Sequence, residues 1–372
     1  MTTEIKVQII DGDAHVIETN HTWDFLEPEE EKYRPLLYTS PGNTMQDFWV
    51  IGGKIRGFRF PTLTEQQLTE ASQLFGTNMA TPQEARELDD IELRLKHMDE
   101  LGIETQVLHN TLWIERITDQ PEVEIALCRS WNRWMAEVWK KGAGRLRWVA
   151  VVPMMAIEQA IKQMHEAKEN GAVGVCMRPI EGNRFITDPY FFPLYEEASR
   201  LNMPIVVHIA NGNPDNCDLF RDPGAADNFG GFKPGGLFGM FRAPTVVSCH
   251  ALLSSTLPRR FPDLRWAFVE ADSQWLPWVI HETRRRRART PNPLPENVTK
   301  EFGIFVTCET DDDLPYILDK VGDDCLIAGT DYGHSDPTSD TDAFAKLMQR
   351  KDISSIALRK IIFDNPKALY GL

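Results

Sequence analysis

Eight short apolar runs, most of them separated by a helical stretch, dominate this chain of 372 residues. The first ends at Ile9-Ile10, and the others lie at 104–109, 146–152, 172–177, 204–209, 264–269, 304–308 and 325–329. Runs such as Ile205-Val206-Val207 lack the alternation of a half-exposed strand and suit a parallel sheet covered on both faces. Amphipathic spacing marks helices at 121–141, 156–169 and 190–201, and at 83–101, where Gly102 signals a helix end. Eight strands alternating with helices predict a (β/α)8 barrel. The rival, a doubly wound sheet, calls for a glycine-rich nucleotide loop after the first strand, and none stands there.

Two stretches break the rhythm. Residues 18–47 read as a long polar loop, and 48–58 as a hairpin turning at Gly52-Gly53. Residues 210–244 are rich in Gly, Pro and Phe and follow the strand that ends at His208, where a pocket wall or lid belongs. The expectation is one barrel domain over 1–372, with an insertion at about 40–82 and a lid loop at about 210–244.

A net charge of −15 leaves no basic excess to neutralise phosphates, which argues against nucleic-acid or membrane-surface binding. Six cysteines are scattered without CxxC spacing, so neither a zinc knuckle nor a disulfide framework is indicated. The N-terminal residues carry no basic-then-apolar leader, and no apolar stretch is long enough to span a bilayer. A reducing cytoplasm is the expected location. The run Arg284-Arg285-Arg286-Arg287 reads as a salt-bridged outer face or a subunit contact, in keeping with a homo-oligomer.

The chemistry gathers at strand ends. Asp13 and His15 follow the first strand two residues apart, a spacing that points both side chains to one face of extended chain. His208 ends the fifth strand and Asp331 follows the eighth. Alone, each is an ordinary turn carboxylate or core imidazole. In a closed barrel these ends meet over one mouth, and two imidazoles with two carboxylates suit a divalent ion. Zinc is the first choice for such a mixed set, with manganese and iron as alternatives.

The stretch Asp11-Gly12-Asp13-Ala14-His15-Val16-Ile17-Glu18 resembles the opening of the amidohydrolase-2 family within the amidohydrolase superfamily. The resemblance continues through Met98-Asp99-Glu100-Leu101-Gly102-Ile103, Gly174-Val175-Cys176-Met177-Arg178-Pro179, Arg260-Phe261-Pro262-Asp263-Leu264 and Gly329-Thr330-Asp331-Tyr332-Gly333-His334. It implies a distorted TIM barrel, one divalent metal and an activated water or substrate oxygen on that metal. Three departures stand out. Asp13 occupies the place of the first histidine in the family's His-x-His opening, as an acid does among its decarboxylases. Glu270 stands where better-known relatives carry a histidine at the end of the sixth strand. It would be either a proton-transferring carboxylate of raised pKa or a carboxylate orienting a ligand histidine through its other ring nitrogen. At the fourth strand's end Met177-Arg178 offers no lysine for a two-metal bridge, which implies one metal.

Arg178 is a candidate clamp for a substrate carboxylate, with a loop-stabilising salt bridge as the plain alternative. His250, on a helix after the lid, and His334, just beyond Asp331, are further candidates for proton transfer; His109 is expected at the pocket wall. The chain therefore reads as a metal-dependent decarboxylase of a small aromatic or unsaturated carboxylate. A mononuclear hydrolase is the alternative, and a non-catalytic metal-binding barrel a third reading.

Overall fold

Apolar runs buried on both faces become the parallel staves of a barrel in the computed structural model, which describes residues 8–39, 47–60, 62–220, 233 and 235–372. In chain order the strands are β1 (Ile10–His15), β2 (Leu36–Thr39), β3 (Asp47–Ile51), β4 (Lys54–Arg59), β5 (Thr105–His109), β6 (Leu146–Ala150) and β7 (Ala172–Met177). There follow β8 (Ile180–Glu181), β9 (Arg184–Phe185), β10 (Ile205–His208), β11 (Trp266–Val269), β12 (Ile304–Cys308) and β13 (Leu326–Ala328). The eight-stranded sheet runs β1-β5-β6-β7-β10-β11-β12-β13, every described pairing parallel. That is the order of a TIM barrel.

Its last seam, between β13 and β1, is closed at the mouth. Asp331 N–H donates to Asp13 O (2.9 Å), and His15 N–H donates to Tyr332 O (2.8 Å). Deeper in, the Asp11 carboxylate accepts from the Thr330 amide (3.0 Å), the Thr330 hydroxyl (2.6 Å) and the Gln106 amide (3.0 Å). Gln106 in turn accepts from the buried Arg94 (2.7 Å), whose guanidinium lies 3.6 Å from the Tyr332 ring centre. Burial pushes Asp11 up to about 6 and Arg94 down to about 10. Glycine is required at 329, because a Cβ there would stand 2.3 Å from Asp13 Cβ.

The helices follow from caps and stripes. Pro121–Lys141 begins with proline and Glu122, ends on Lys140-Lys141 before Gly142, and buries Val123, Leu127, Trp131, Trp134 and Val138. The expected helix over 83–101 is broken instead: Gln83–Arg86 stops, Leu88 takes φ 60, and Asp90 caps Ile91–Leu101 through the Leu93 amide. Gly102 closes it in the left-handed conformation, as expected (φ 73).

The insertion is larger than a hairpin. β3 and β4 pair around Gly52-Gly53, and β2, within the stretch expected to be a loop, adds a third antiparallel strand. Of the lid stretch, 221–232 and 234 lie outside the described residues. What is described holds a short helix, Pro214–Phe220, and a π-helical turn, Phe238–Arg242, running into the helix Ala243–Ser254. Cys217, Met240 and Phe241 form a small apolar cluster with Ile209 and Ala271, which seats this stretch on the barrel rim. Among the described residues no helix is long and apolar enough to cross a membrane. All six cysteines are buried and unbridged.

Candidate active site

Six of the titratable residues singled out in the sequence converge on the C-terminal mouth: Asp13, His15, His208, Glu270, Asp331 and His334. They form two overlapping groups of four. Asp13, His15, His208 and Glu270 make one, and His15, Glu270, Asp331 and His334 the other.

The histidine rings are oriented from behind. His15 Nδ1 lies 3.0 Å from Asn110 O, and His208 Nδ1 lies 3.1 Å from Ile209 O. A carbonyl only accepts, so each Nδ1 carries the proton and each Nε2 turns a lone pair to the mouth. The two Nε2 atoms are 3.1 Å apart. Around His15 Nε2 stand Glu270 Oε2 at 3.3 Å, Asp13 Oδ1 at 3.4 Å and Asp331 Oδ1 at 3.5 Å. His208 Nε2 is 3.1 Å from Glu270 Oε2 and 3.6 Å from Asp13 Oδ1.

Asp13 Oδ1, Glu270 Oε2 and Asp331 Oδ1 are buried and, among the described residues, receive no well-formed hydrogen bond. Three buried oxygens and two imidazole nitrogens thus face one another without a built-in donor. Left so, each would carry a desolvation cost of about 1–3 kcal/mol or more. A divalent cation is the group that fits this donor set. Without it, protons must serve. Burial alone would raise Asp13 and Glu270, but the facing imidazoles win and hold both carboxylates well below the usual range. Burial likewise pulls His208 down, yet Glu270 and Asp13 outweigh it and hold that ring well above its usual value.

Backbone strain helps aim the carboxylates. Glu270 (φ 62) and Asp331 (φ 49) both adopt the left-handed conformation just past their strands, turning the side chain over the mouth. The Glu270 amide is held by Thr307 Oγ1 at 2.7 Å. Asp331 Oδ2 accepts from the Ser339 hydroxyl (2.7 Å), leaving Oδ1 free to face inward.

His334 sits at the edge of the cluster, its ring 3.8 Å from that of His15 and stacked on Phe60 at 4.4 Å. Thr111 donates its hydroxyl to Val16 O (2.8 Å) and so accepts from His334 Nε2 (2.9 Å), which makes Nδ1 the basic nitrogen. That Nδ1 lies 2.7 Å from Asp331 Oδ1, off the line a good hydrogen bond needs. Burial and the neighbouring His15 keep His334 well below its usual pKa, while burial beside Glu270 pushes Asp331 well above the carboxylate range.

Above the cluster opens a cavity of about 350 Å³. His15, His208, Glu270 and His334 form its floor, and Phe60, Trp113, Ile114, Leu237, Phe238 and Phe241 wall it. Arg242 is the only arginine or lysine lining it among the described residues, steadied by Asp272 at 3.3 Å.

Two expected residues lie elsewhere. Arg178 is not at this cavity: its guanidinium is bound by Glu181 (2.6 and 2.9 Å), with Glu124 at 3.7 Å, so the salt bridge prevails over the substrate clamp. His250 does not line the cavity either. It stands on the helix Ala243–Ser254, near enough to Glu282 on the helix Leu276–Arg287 to help Arg286 hold that carboxylate low. His109 is buried behind the floor, Nε2 at 3.3 Å from Gly12 O and 3.9 Å from Asp13 Oδ1, and burial pulls it down to about 3. Phe60 and Arg242 line the cavity without any signal in the local sequence. Each ends an element of the insertion or the lid, and only docking of those stretches brings them to the mouth.

A parallel barrel with imidazoles and carboxylates massed at its C-terminal mouth, under an aromatic-walled cavity, has the architecture of a lyase or hydrolase. The chain belongs to the amidohydrolase family, whose model matches residues 10–372, and it is an enzyme of the carboxy-lyase or hydrolase kind within that superfamily. Gamma-resorcylate decarboxylase of Polaromonas sp. is 26% identical over 305 residues, 77% of this chain and 89% of that protein. An amidohydrolase from Mycobacterium avium subsp. paratuberculosis superposes with a TM-score of 0.75 at 18% identity, over 98% of this chain and 99% of that one. A dihydroxybenzoic acid decarboxylase from Polaromonas sp., solved with manganese and the inhibitor 2-nitroresorcinol, has a TM-score of 0.62 at 19% identity, over 98% and 97%. At these identities the solved structures speak for the fold.

Proposed function

We propose that this protein is a metal-dependent, non-oxidative decarboxylase of a small aromatic or unsaturated carboxylic acid. One observation carries it: an aromatic-walled cavity of about 350 Å³ stands directly on a floor of unpaired oxygen and nitrogen acceptors. The likeness to gamma-resorcylate decarboxylase supports the same choice.

Asp13, His15, His208 and Asp331 would hold one divalent ion. Such an ion acts as a Lewis acid towards a substrate carboxylate and a neighbouring oxygen. The chain's own residues do the rest. Phe60, Trp113 and Phe241 offer faces to a planar substrate and keep water away from it. Arg242 takes over the anion-attracting role expected of Arg178. His334, lining the cavity with its basic Nδ1 beside Asp331, is the group placed to relay a proton: Nδ1 takes one up and then delivers it to the carbon that loses carbon dioxide.

The test is an assay of 2,6-dihydroxybenzoate and related aromatic acids for carbon dioxide release by the metal-loaded enzyme, with and without chelator. Chelator-sensitive carbon dioxide release is expected. Chelator-sensitive turnover of an ester, amide or carbon–carbon bond without carbon dioxide would assign the site to hydrolysis instead.

A further inference from the structure

The position where this chain departs most from the pattern it resembles is Glu270. Two roles follow from sequence for a carboxylate there: a proton donor, or a support behind a ligand histidine. A supporting carboxylate must meet the ring nitrogen that faces away from the metal. In both histidines that nitrogen is already taken, His15 Nδ1 by Asn110 O and His208 Nδ1 by Ile209 O. Glu270 Oε2 lies on the opposite side of both rings, 3.3 Å from His15 Nε2 and 3.1 Å from His208 Nε2. It is buried, and among the described residues it has no hydrogen-bond partner beyond these two rings.

We infer that Glu270 is itself a ligand of the bound ion, standing beside Asp13, His15 and His208. This rests on the metal-dependent reading and specifies it. Donors adjacent around one ion, with bonds of about 2.1 Å, stand roughly 3.0–3.4 Å apart. The separations His208–Glu270 (3.1 Å), His15–Glu270 (3.3 Å) and His15–Asp13 (3.4 Å) match that spacing, and His208–Asp13, at 3.6 Å, lies just beyond it. The backbone agrees: β11 ends at Val269, and the left-handed turn at Glu270 (φ 62), anchored by Thr307, delivers the carboxylate inward. A non-glycine residue holds that conformation only at an energetic cost, which a ligand role accounts for. Asp331 still reaches His15 Nε2 at 3.5 Å, so the set becomes three carboxylates and two imidazoles. That oxygen-rich set favours a hard, higher-coordinate ion such as Mn2+ over tetrahedral zinc.

The experiment titrates Mn2+ into the metal-free protein and follows the free-ion EPR signal, for wild type, Glu270→Gln and His208→Ala. Circular dichroism of each metal-free variant verifies folding. Glu270→Gln should weaken Mn2+ binding at least ~100-fold, at or beyond the upper range for losing an outer-shell partner. Wild-type affinity in Glu270→Gln, with binding lost in His208→Ala, would overturn the ligand role and leave the metal site standing. Wild-type affinity in both would overturn the metal-dependent reading itself. Should Glu270→Gln fail to fold, Glu270→Asp, which withdraws the oxygens by one methylene, replaces it: a loss of at least ~10-fold supports the ligand role, and unchanged affinity overturns it.

Discussion

His15 and His208 meet Nε2 to Nε2 at 3.1 Å with their rings nearly perpendicular (79°). Two neutral imidazoles whose Nδ1 protons are both committed would present lone pair to lone pair at that distance. Something positive must sit between or beside them. In the metal-free protein that is a proton, held by the Glu270 and Asp13 carboxylates.

Metal binding should therefore release protons. His208 is held well above its ordinary pKa, so near neutrality the metal-free ring is charged and an incoming ion must displace the proton. Mn2+ affinity should rise with pH until the folded-state pKa of His208 is passed. Calorimetry in buffers of different ionisation enthalpy should count about one proton or more released at pH 7. By the same sign, the stability His208 lends the metal-free fold is full below ~6.5 and fades as pH rises through its folded pKa. An affinity flat from pH 6 to 8 would contradict this.

Gly329→Ala should damage the seam and the site together. The new methyl would stand 2.3 Å from Asp13 Cβ and 2.8 Å from Asp13 O, where backbone cannot yield cheaply. A loss of about 1–3 kcal/mol in denaturant unfolding is expected, with weakened metal binding alongside. Wild-type stability and metal content in this variant would show that the seam is looser than drawn.

Glu124→Gln should change how stability depends on pH. Burial raises Glu124 to about 7, against a weaker opposing pull from Arg178, and its carboxylate accepts the Met155 amide at 2.8 Å. A folded pKa above the unfolded ~4.5 means that its contribution is full below ~4.5 and lost as pH rises through about 7. Relative to wild type, Glu124→Gln should gain up to about 3 kcal/mol between pH 5 and pH 8. Urea unfolding of both proteins at the two pH values measures the difference, and a constant gap would refute it.

The lid stretch should tighten over a bound ligand. Leu237, Phe238 and Phe241 line the cavity, and the small cluster with Cys217 and Met240 links them to the helix Pro214–Phe220. Hydrogen exchange in 214–220 and 235–242 should slow when a saturating aromatic carboxylate is added to metal-loaded enzyme. Equal exchange with and without ligand would make this stretch a fixed wall.

What the sequence made legible follows from where the information sits. The barrel strands could be read because parallel strands buried on both faces must be apolar throughout, a pattern that needs no tertiary knowledge. His208, Glu270 and Asp331 could then be found as the polar residues that end such runs. Arg178 ends a run in the same way, yet Glu181, three residues on in β8, claims its guanidinium. An acid at that spacing was the available warning. Leu88 hid the helix break because apolar spacing continues across it, and only its backbone conformation shows the stop. Phe60 and Arg242 carried no local signal at all. An aromatic ending a small exposed-looking sheet and an arginine ending a glycine-rich loop acquire meaning only once both stretches have docked.

The seam between β13 and β1 also sets when this enzyme can first exist. Tyr370 donates its hydroxyl to Gly12 O at 2.8 Å across 358 positions of sequence, and Thr330 grips Asp11 across 319. On the ribosome β1 emerges first and must wait for nearly the whole chain before its second neighbour arrives. Until then one edge of the sheet is open, and the cage has lost Asp331 and the backbone bonds that set Asp13. A metal ion would thus be loaded only after β13 has been made. A nascent chain halted before β13 would be a β1 edge in search of another partner, which makes the interval before β13 is synthesised the one of greatest exposure to chaperones and to aggregation.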